Sequence, residues 1–159
     1  MEKEQKAIRT QLAQSLAWGD AHVDWPQALA GFPPRLRGVR PEGAPHSAWE
    51  LLEHVRIAQW DILEFSRNPK HVSPEFPEGY WPKSAAPPSP AAWTRSVNAF
   101  FRDRKAFQKL VLNPKTDLLA PIPHGSGQTV LREILLAADH NAHHLGQFIL
   151  LRRLLGFWK

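Results

Sequence analysis

The chain has no cysteine, and this absence excludes disulfide bonds and a catalytic thiolate of its own. Tyrosine and methionine each occur once, although the chain has seven tryptophans and eight phenylalanines. No apolar run reaches the ~18 residues of a membrane-spanning helix. The charged N-terminal segment lacks the apolar stretch of a secretory signal. We therefore predict a soluble cytoplasmic protein that makes no membrane contact.

Concentrated basic segments are also scarce. The formal net charge is +5, but the basic residues are scattered, and the adjacent basic pairs are 104–105 and 152–153. A nucleic-acid-binding surface more often groups its lysines and arginines, so we expect no nucleic-acid partner. With 159 residues, of which 43% are hydrophobic, the chain fits one ordinary globular domain over 1–159.

The fifteen prolines are concentrated in three segments, 26–45, 69–90 and 114–123, and leave helix-length stretches between them. A first helix is predicted from about Glu4 to Gly19, with Ile8, Leu12 and Leu16 on its buried face. A short helical turn is predicted at 27–31, before the Pro33-Pro34 pair.

Capping residues and prolines define three further helices. Ser47 and Glu50 form a capping box, and Asn68-Pro69 ends the helix that they begin. The next helix begins at Ser89-Pro90 and reaches Asn113-Pro114, and the last runs from about Thr129 almost to the C-terminus. The pattern predicts an all-α four-helix bundle with long proline-rich connections.

The last predicted helix contains the segment "ADHNAHHLGQF", with three histidines in five positions. His140 and His144 lie on one side of the helix, next to the apolar stripe formed by Val130, Ile134, Ala138, Leu145 and Ile149. His143 points away and is expected to face solvent. Imidazoles one turn apart can chelate one metal ion, although hydrogen-bonded histidines at a helix edge give the same pattern. Asn141 replaces the glutamate of a metalloprotease motif, so no such base is expected.

His54 of the second long helix is a candidate third ligand, because metal sites in bundles use side chains from facing helices. Three neutral nitrogen ligands would leave coordination positions open for water or substrate. A hydrogen-bonded core histidine is the alternative for His54. Glu50 and Asp61, on the same stripe, are candidates to accept imidazole N–H bonds, or are ordinary surface charges.

Other residues near the histidines have two possible roles. Gln147 is a candidate to contact a bound ligand or to be an exposed amide, and Gly146 is a candidate for close helix or subunit packing. Arg152 and Arg153 are expected to be solvated charges near the helix end rather than a substrate anchor. The tryptophans are expected in the core or at a dimer surface. They are Trp49, Trp60, Trp81 and Trp93.

The segments "HSAWELLEHVRIAQWDILEF" (46–65) and "GQTVLREILLAADHNAHHLGQFILLRRLLGFW" (127–158) resemble the DinB-like superfamily, which is named for a DNA-damage-induced protein. The "FPEGYWP" loop is also similar. The resemblance implies a four-helix bundle, usually a homodimer, in which three histidines hold a divalent metal. The matching positions here are His54, His140 and His144. Related members include low-molecular-weight-thiol S-transferases, and mycothiol-dependent maleylpyruvate isomerases share the bundle.

The sequence therefore predicts a protein that binds one divalent transition metal, with zinc, nickel, copper or iron suited to nitrogen ligands. The expected activity is metal-dependent hydrolysis, or S-transfer with a low-molecular-weight thiol as cosubstrate, on a small molecule. The catalytic group itself is not predicted beyond metal-activated water or thiolate. Two non-enzymatic alternatives stay open: a dimeric metal or small-ligand binding module, and a stress-linked interaction protein.

Overall fold

The computed structural model describes residues 2–158 of the chain. Five α-helices follow one another: α1 (Glu2–Ser15), α2 (Trp25–Leu29), α3 (Ala48–Arg67), α4 (Pro90–Leu112) and α5 (Val130–Leu154). Single turns of 3₁₀ helix occupy Pro34–Leu36 and Glu78–Tyr80. Over residues 2–158 no strand forms, so the predicted all-α class is confirmed.

Side-chain caps begin the three longest helices at the predicted positions. The Ser47 hydroxyl accepts a hydrogen bond from the Glu50 amide, and the Glu50 carboxylate accepts one from the Ser47 amide at 2.8 Å. Ser89 caps α4 through the amide of Ala92, and Thr129 caps α5 through the amide of Arg132. Each cap satisfies an amide that the first helical turn leaves without a partner. The starts of these helices are therefore encoded locally.

The four long helices pack as a bundle in which α3 contacts both α4 and α5, and α1 contacts α4 and, less extensively, α5. One core cluster contains Trp25 of α2, whose ring meets Phe100 at 5.4 Å and Phe148 at 5.5 Å in edge contacts. A second cluster lies towards the other end and includes Leu63, Phe107 and Ile134. The two clusters hold α3 and α5 side by side, which is the arrangement that the histidine site requires.

The first helix differs from its prediction. It ends at Ser15 rather than Gly19, and its buried residue is Ala13, whereas Ile8 is 57% exposed. Ser15 turns its hydroxyl back to the carbonyl of Leu12 at 2.8 Å, a local bond that competes with continued helix. Leu16, just beyond the helix, is buried and Leu12 packs against the second core cluster, so the predicted face is confirmed at these two positions and wrong at Ile8.

The short helix begins earlier than predicted, at Trp25 rather than residue 27. Asp24 accepts from the amide of Gln27 at 2.8 Å, and the Gln27 side chain accepts from the amide of Asp24 at 3.1 Å. This second capping box, with Pro26 in the first turn, was readable in the sequence. It places the Trp25 ring in the core.

Arg152 is buried, so the prediction of a solvated charge was wrong for this residue and correct for the exposed Arg153. Its guanidinium donates to the carbonyls of Ala28 and Ala30 and lies over the rings of Phe157 and Trp158. Burial lowers its pKa. Arg152 therefore joins the end of α5 to α2.

Within the described residues, 2–158, no helix combines the length and the apolar character needed to cross a membrane.

Candidate metal centre

Three histidine side chains from two helices converge between α3 and α5. The Nε2 atom of His54 on α3 lies 3.1 Å from Nε2 of His140 and 3.1 Å from Nε2 of His144, both on α5. One ligand-capable atom from each of the three lies within 4.8 Å of the others. His144 is buried, and His54 and His140 are partly buried. The structure thus brings together the three histidines that the sequence singled out.

The helices place these side chains by simple geometry. His140 and His144 are one turn apart, so their rings stack along one side of α5. That side also carries the buried Ala137, Phe148 and Leu151, and it packs against α3. The buried face of α5 is centred near Asn141 and Phe148, both of which are buried. The predicted apolar stripe lay to one side of this centre, and its members Ala138 and Ile149 are only partly buried. His143 is exposed, as predicted.

The outer ring nitrogens of two histidines contact oxygen atoms. Nδ1 of His54 lies 3.0 Å from the backbone carbonyl of Tyr80, and Nδ1 of His144 lies 2.8 Å from Oε1 of Gln147. A carbonyl oxygen only accepts, so each Nδ1 carries the proton and donates it. In a neutral ring the Nε2 atom then has a lone pair. Gln147 is therefore a hydrogen-bond partner of His144 and is exposed, and its contact with a bound ligand stays a prediction.

This tautomer assignment provides the test of whether the site fits a metal ion. Two Nε2 lone pairs that face each other at 3.1 Å have no proton to share, so the rings of His54 and His144 cannot hydrogen-bond to each other. A cation between them removes this conflict. Two ligand nitrogens of one ion each lie about 2.0–2.1 Å from it. When the nitrogen–metal–nitrogen angle is between the octahedral and the tetrahedral value, the two nitrogens are about 2.9–3.4 Å apart. The observed separation of 3.1 Å falls inside this range.

Burial keeps the three imidazoles neutral. Burial, followed by the charges that His144, His54 and His143 would carry, lowers the pKa of His140 to about 3. Burial likewise lowers the pKa of His144 to about 4, against the hydrogen bond with Gln147, which raises it. The pKa of His54 is also lowered by burial. All three rings therefore present unprotonated nitrogen near neutral pH, which is the form that binds metals.

An aromatic stack covers one side of the site. The ring of Trp81 lies parallel to the ring of His54, with centroids 3.9 Å apart and an interplanar angle of 3°. The ring of His46 also stacks on Trp81, with centroids 4.1 Å apart. Trp81 therefore contacts a candidate ligand directly, and it also packs, partly buried, against the first core cluster, as one of its two predicted placements has it. Trp49 and Trp93 are in the core.

Asp61 holds the loop that carries Tyr80 and Trp81. Its Oδ2 accepts from the Tyr80 hydroxyl at 2.6 Å, and its Oδ1 lies 2.7 Å from Nε2 of His71. Burial, followed by the hydrogen bond to Asp61, raises the pKa of Tyr80 to about 12. Asp61 is buried, so it is not an ordinary surface charge. The imidazole that it contacts belongs to His71 rather than to a candidate ligand, and its link to His54 runs through Tyr80.

Glu50 does not contact the three histidines. Its carboxylate pairs with Arg40 and accepts from the amide of Ser47, so it closes the capping box of α3. Burial opposes ionisation of Glu50, but the hydrogen bonds from Arg40 and Ser47, with the charge of Arg40, lower its pKa overall. Both predicted roles, imidazole acceptor and surface charge, are therefore wrong. Apart from its own helix backbone and chain neighbours, no described atom lies within 4 Å of the place that a Cβ of Gly146 would occupy, so no other helix of this chain packs closely there, and packing of a second subunit stays a prediction.

Several contacts of the site were not predicted from the sequence. The Tyr80 contact uses a backbone carbonyl, which leaves no signature in the residue type. His46 immediately precedes the capping serine, so the position of α3 alone would have placed it near the start of that helix. The side chain of Gln59 on α3 is fully buried, although glutamine is usually an exposed residue type.

The fold and the site together define a class: a helical bundle with a three-histidine cluster between two of its helices. The model of the DinB superfamily matches residues 17–148, a range that includes the whole of α3, most of α5 and all three histidines. The chain belongs to the DinB superfamily, and the resemblance noted in the sequence is confirmed. No curated protein and no solved structure matches the chain.

Proposed function

We propose that this protein binds one divalent transition metal, namely zinc, nickel or iron, through Nε2 of His54, His140 and His144. The observation that supports this proposal most strongly is the pair of Nε2 lone pairs 3.1 Å apart, each fixed by a carbonyl contact at the opposite ring nitrogen. Buried neutral imidazoles without a charged partner are suited to a cation. The chain also belongs to the DinB superfamily, and the resemblance drawn from the sequence implies the same three ligands.

We propose further that the bound metal serves catalysis on a small molecule, as a hydrolase or as a low-molecular-weight-thiol S-transferase. A divalent ion with three neutral ligands acts as a Lewis acid and lowers the pKa of water or of a small thiol towards neutrality. The chain has no cysteine, so a sulfur nucleophile must come from a cosubstrate.

The residues around the site have separate tasks in this proposal. Gln147 and the carbonyl of Tyr80 orient two of the ligand rings, which keeps their lone pairs directed inward. The ring of Trp81 excludes water from one face of His54. None of the contacts found for the three histidines involves a carboxylate within residues 2–158. We therefore assign no protein residue as the general base.

The first experiment is the metal content of tag-free protein, measured by plasma mass spectrometry. We expect about one equivalent of a transition metal in the wild type and a loss of metal in His54→Ala and His140→Ala. His71→Ala is the matched control, because His71 is also a partly buried histidine but contacts Asp61. A wild type that contains no metal and takes up neither zinc nor nickel would refute the proposal.

A catalytic site and a structural site give different results in the same variants. If the metal is catalytic, His54→Ala abolishes turnover of a thiol or ester substrate while the fold persists. If the metal is only structural, the variant mainly lowers the melting temperature, because an ion bound only to the native state stabilises it. The non-catalytic binding module is the second candidate function and predicts this second result.

We also propose a homodimer, with α5 as part of the interface. Three leucines on the outward surface of α5 are exposed: Leu135 at 50%, Leu150 at 56% and Leu154 at 51%. These leucines share one side of the helix, where exposed apolar area favours association. Light scattering after size exclusion should give twice the chain mass, and Leu150→Glu should reduce it to the monomer. A wild type that elutes as a monomer at all concentrations contradicts this assignment.

A further inference from the structure

Two buried amide side chains connect the site to the centre of the bundle. Nε2 of Gln59 on α3 donates to the backbone carbonyl of Phe100 on α4 at 2.8 Å. Nδ2 of Asn141 on α5 donates to Oε1 of Gln59 at 2.9 Å. A carbonyl can only accept, so the Phe100 end fixes the direction of both bonds. Asn141 must therefore present its oxygen, Oδ1, at the other end of the chain of bonds.

Two polar atoms at that end have no hydrogen-bond partner within residues 2–158. They are Oδ1 of Asn141 and Nδ1 of the neighbouring His140, and both are buried. If Nε2 of His140 is a metal ligand, Nδ1 carries the ring proton and is a donor, whereas Oδ1 is an acceptor. The two unpaired groups are therefore complementary. The two side chains interact, since Asn141 opposes the lowering of the pKa of His140 by burial, but the two atoms do not have the geometry of a hydrogen bond.

The other two histidines show what is missing at His140. Nδ1 of His54 has the Tyr80 carbonyl, and Nδ1 of His144 has the Gln147 side chain. Metal-binding histidines regularly donate their second ring N–H to such a partner, which fixes the tautomer and the ring orientation.

We infer that Asn141 is the positioning residue of His140: its Oδ1 accepts the Nδ1 proton of His140, and Gln59 and the Phe100 carbonyl hold the amide in that orientation. This inference rests on the proposed function, because it concerns a ligand of the proposed metal. It also assigns a role to the position where a metalloprotease helix carries its glutamate base. Here that position faces the bundle core and supports a ligand.

The test uses nitrogen-15 NMR of the histidine rings in tag-free, metal-free full-length protein near neutral pH. We expect His140 to carry its proton on Nδ1 and to exchange that proton slowly with water. In Asn141→Leu this tautomer preference should be lost at His140 and kept at His54 and His144. Zinc affinity, measured by chelator competition, should fall about 10- to 100-fold. Gln147→Leu is the matched control, and it should alter the signals of His144 but leave those of His140 unchanged.

Asn141→Asp provides a conservative variant, since it keeps an acceptor oxygen and should retain the Nδ1 proton of His140. A variant that had generally lost its structure would not show this proton. Its presence in Asn141→Asp and absence in Asn141→Leu would therefore separate the loss of the acceptor oxygen from a loss of the fold. A wild-type His140 that is protonated on Nε2 overturns the inference, even if no variant folds. An Asn141→Leu protein with unchanged zinc affinity and ring signals also overturns it. If no protein binds zinc, the proposed function fails, but the wild-type tautomer still decides whether Asn141 orients His140.

Discussion

The number of protons released on metal binding is a quantitative consequence of the buried histidines. A histidine with the ordinary pKa of 6.5 is about 76% protonated at pH 6, so a site of three such rings would release about 2.3 protons per ion. With pKa values of about 3 for His140 and about 4 for His144, these two rings release almost none. The pKa of His54 is also lowered, so its share is below the ordinary value. We expect fewer than one proton per ion.

Isothermal titration calorimetry measures this number directly. Zinc is titrated into the metal-free protein at pH 6 in several buffers with different enthalpies of ionisation, and the slope of the observed enthalpy gives the protons released. His71→Ala is the control, since it should leave the slope unchanged. A release of two or more protons per ion would show that the three rings are protonated before binding. In that case burial would not keep the three imidazole rings neutral in the metal-free protein.

Three further predictions concern the surroundings of the site. Asp61→Asn should weaken zinc binding several-fold and change the tryptophan emission, because the loop that carries Tyr80 and its carbonyl loses an anchor; unchanged values of both would contradict this. Arg152→Met should lower the free energy of unfolding by about 1.5–3 kcal/mol, the value of charged hydrogen bonds, in urea titrations. Arg153→Met, at an exposed position, should have little effect, and equal effects would count against the assigned role of Arg152. Metal-free protein should lose stability as the pH falls from 7 to 4, because the unfolded chain takes up protons near 6.5 whereas folded His140 resists them to about 3. His140→Ala should flatten this pH dependence in thermal melts, and parallel curves would refute the assignment.

Much of the fold is encoded locally, which is why the sequence predicts it. Ser47, Ser89 and Thr129 cap their helices with their own side chains, and a cap needs only its three following residues. The one-turn spacing of His140 and His144 likewise depends only on helix geometry. The boundaries of α1 were less predictable, because few contacts beyond its own turns decide where such a helix ends.

The surroundings of the histidines depend on contacts between distant parts of the chain, for which residue patterns along the chain carry no comparable signal. Asp61 looked like a partner for the ligands on its own stripe, yet its partners come from the loop at 71–80. Glu50 was considered for the same role, but Arg40 and the capping box engage it. Residue spacing along one helix cannot show which loop folds over that helix.

The separation of the three histidines along the chain has a topological consequence. His54 lies 86 residues from His140 and 90 from His144, so an ion held by all three would close a loop that contains the whole of α4. In the chain-entropy account of cross-links, closing a loop of this length restricts the unfolded ensemble by roughly 4.5 kcal/mol. The protein would thus have the equivalent of a disulfide without a single cysteine. Reductants would leave such a metal cross-link intact, whereas a chelator would remove it.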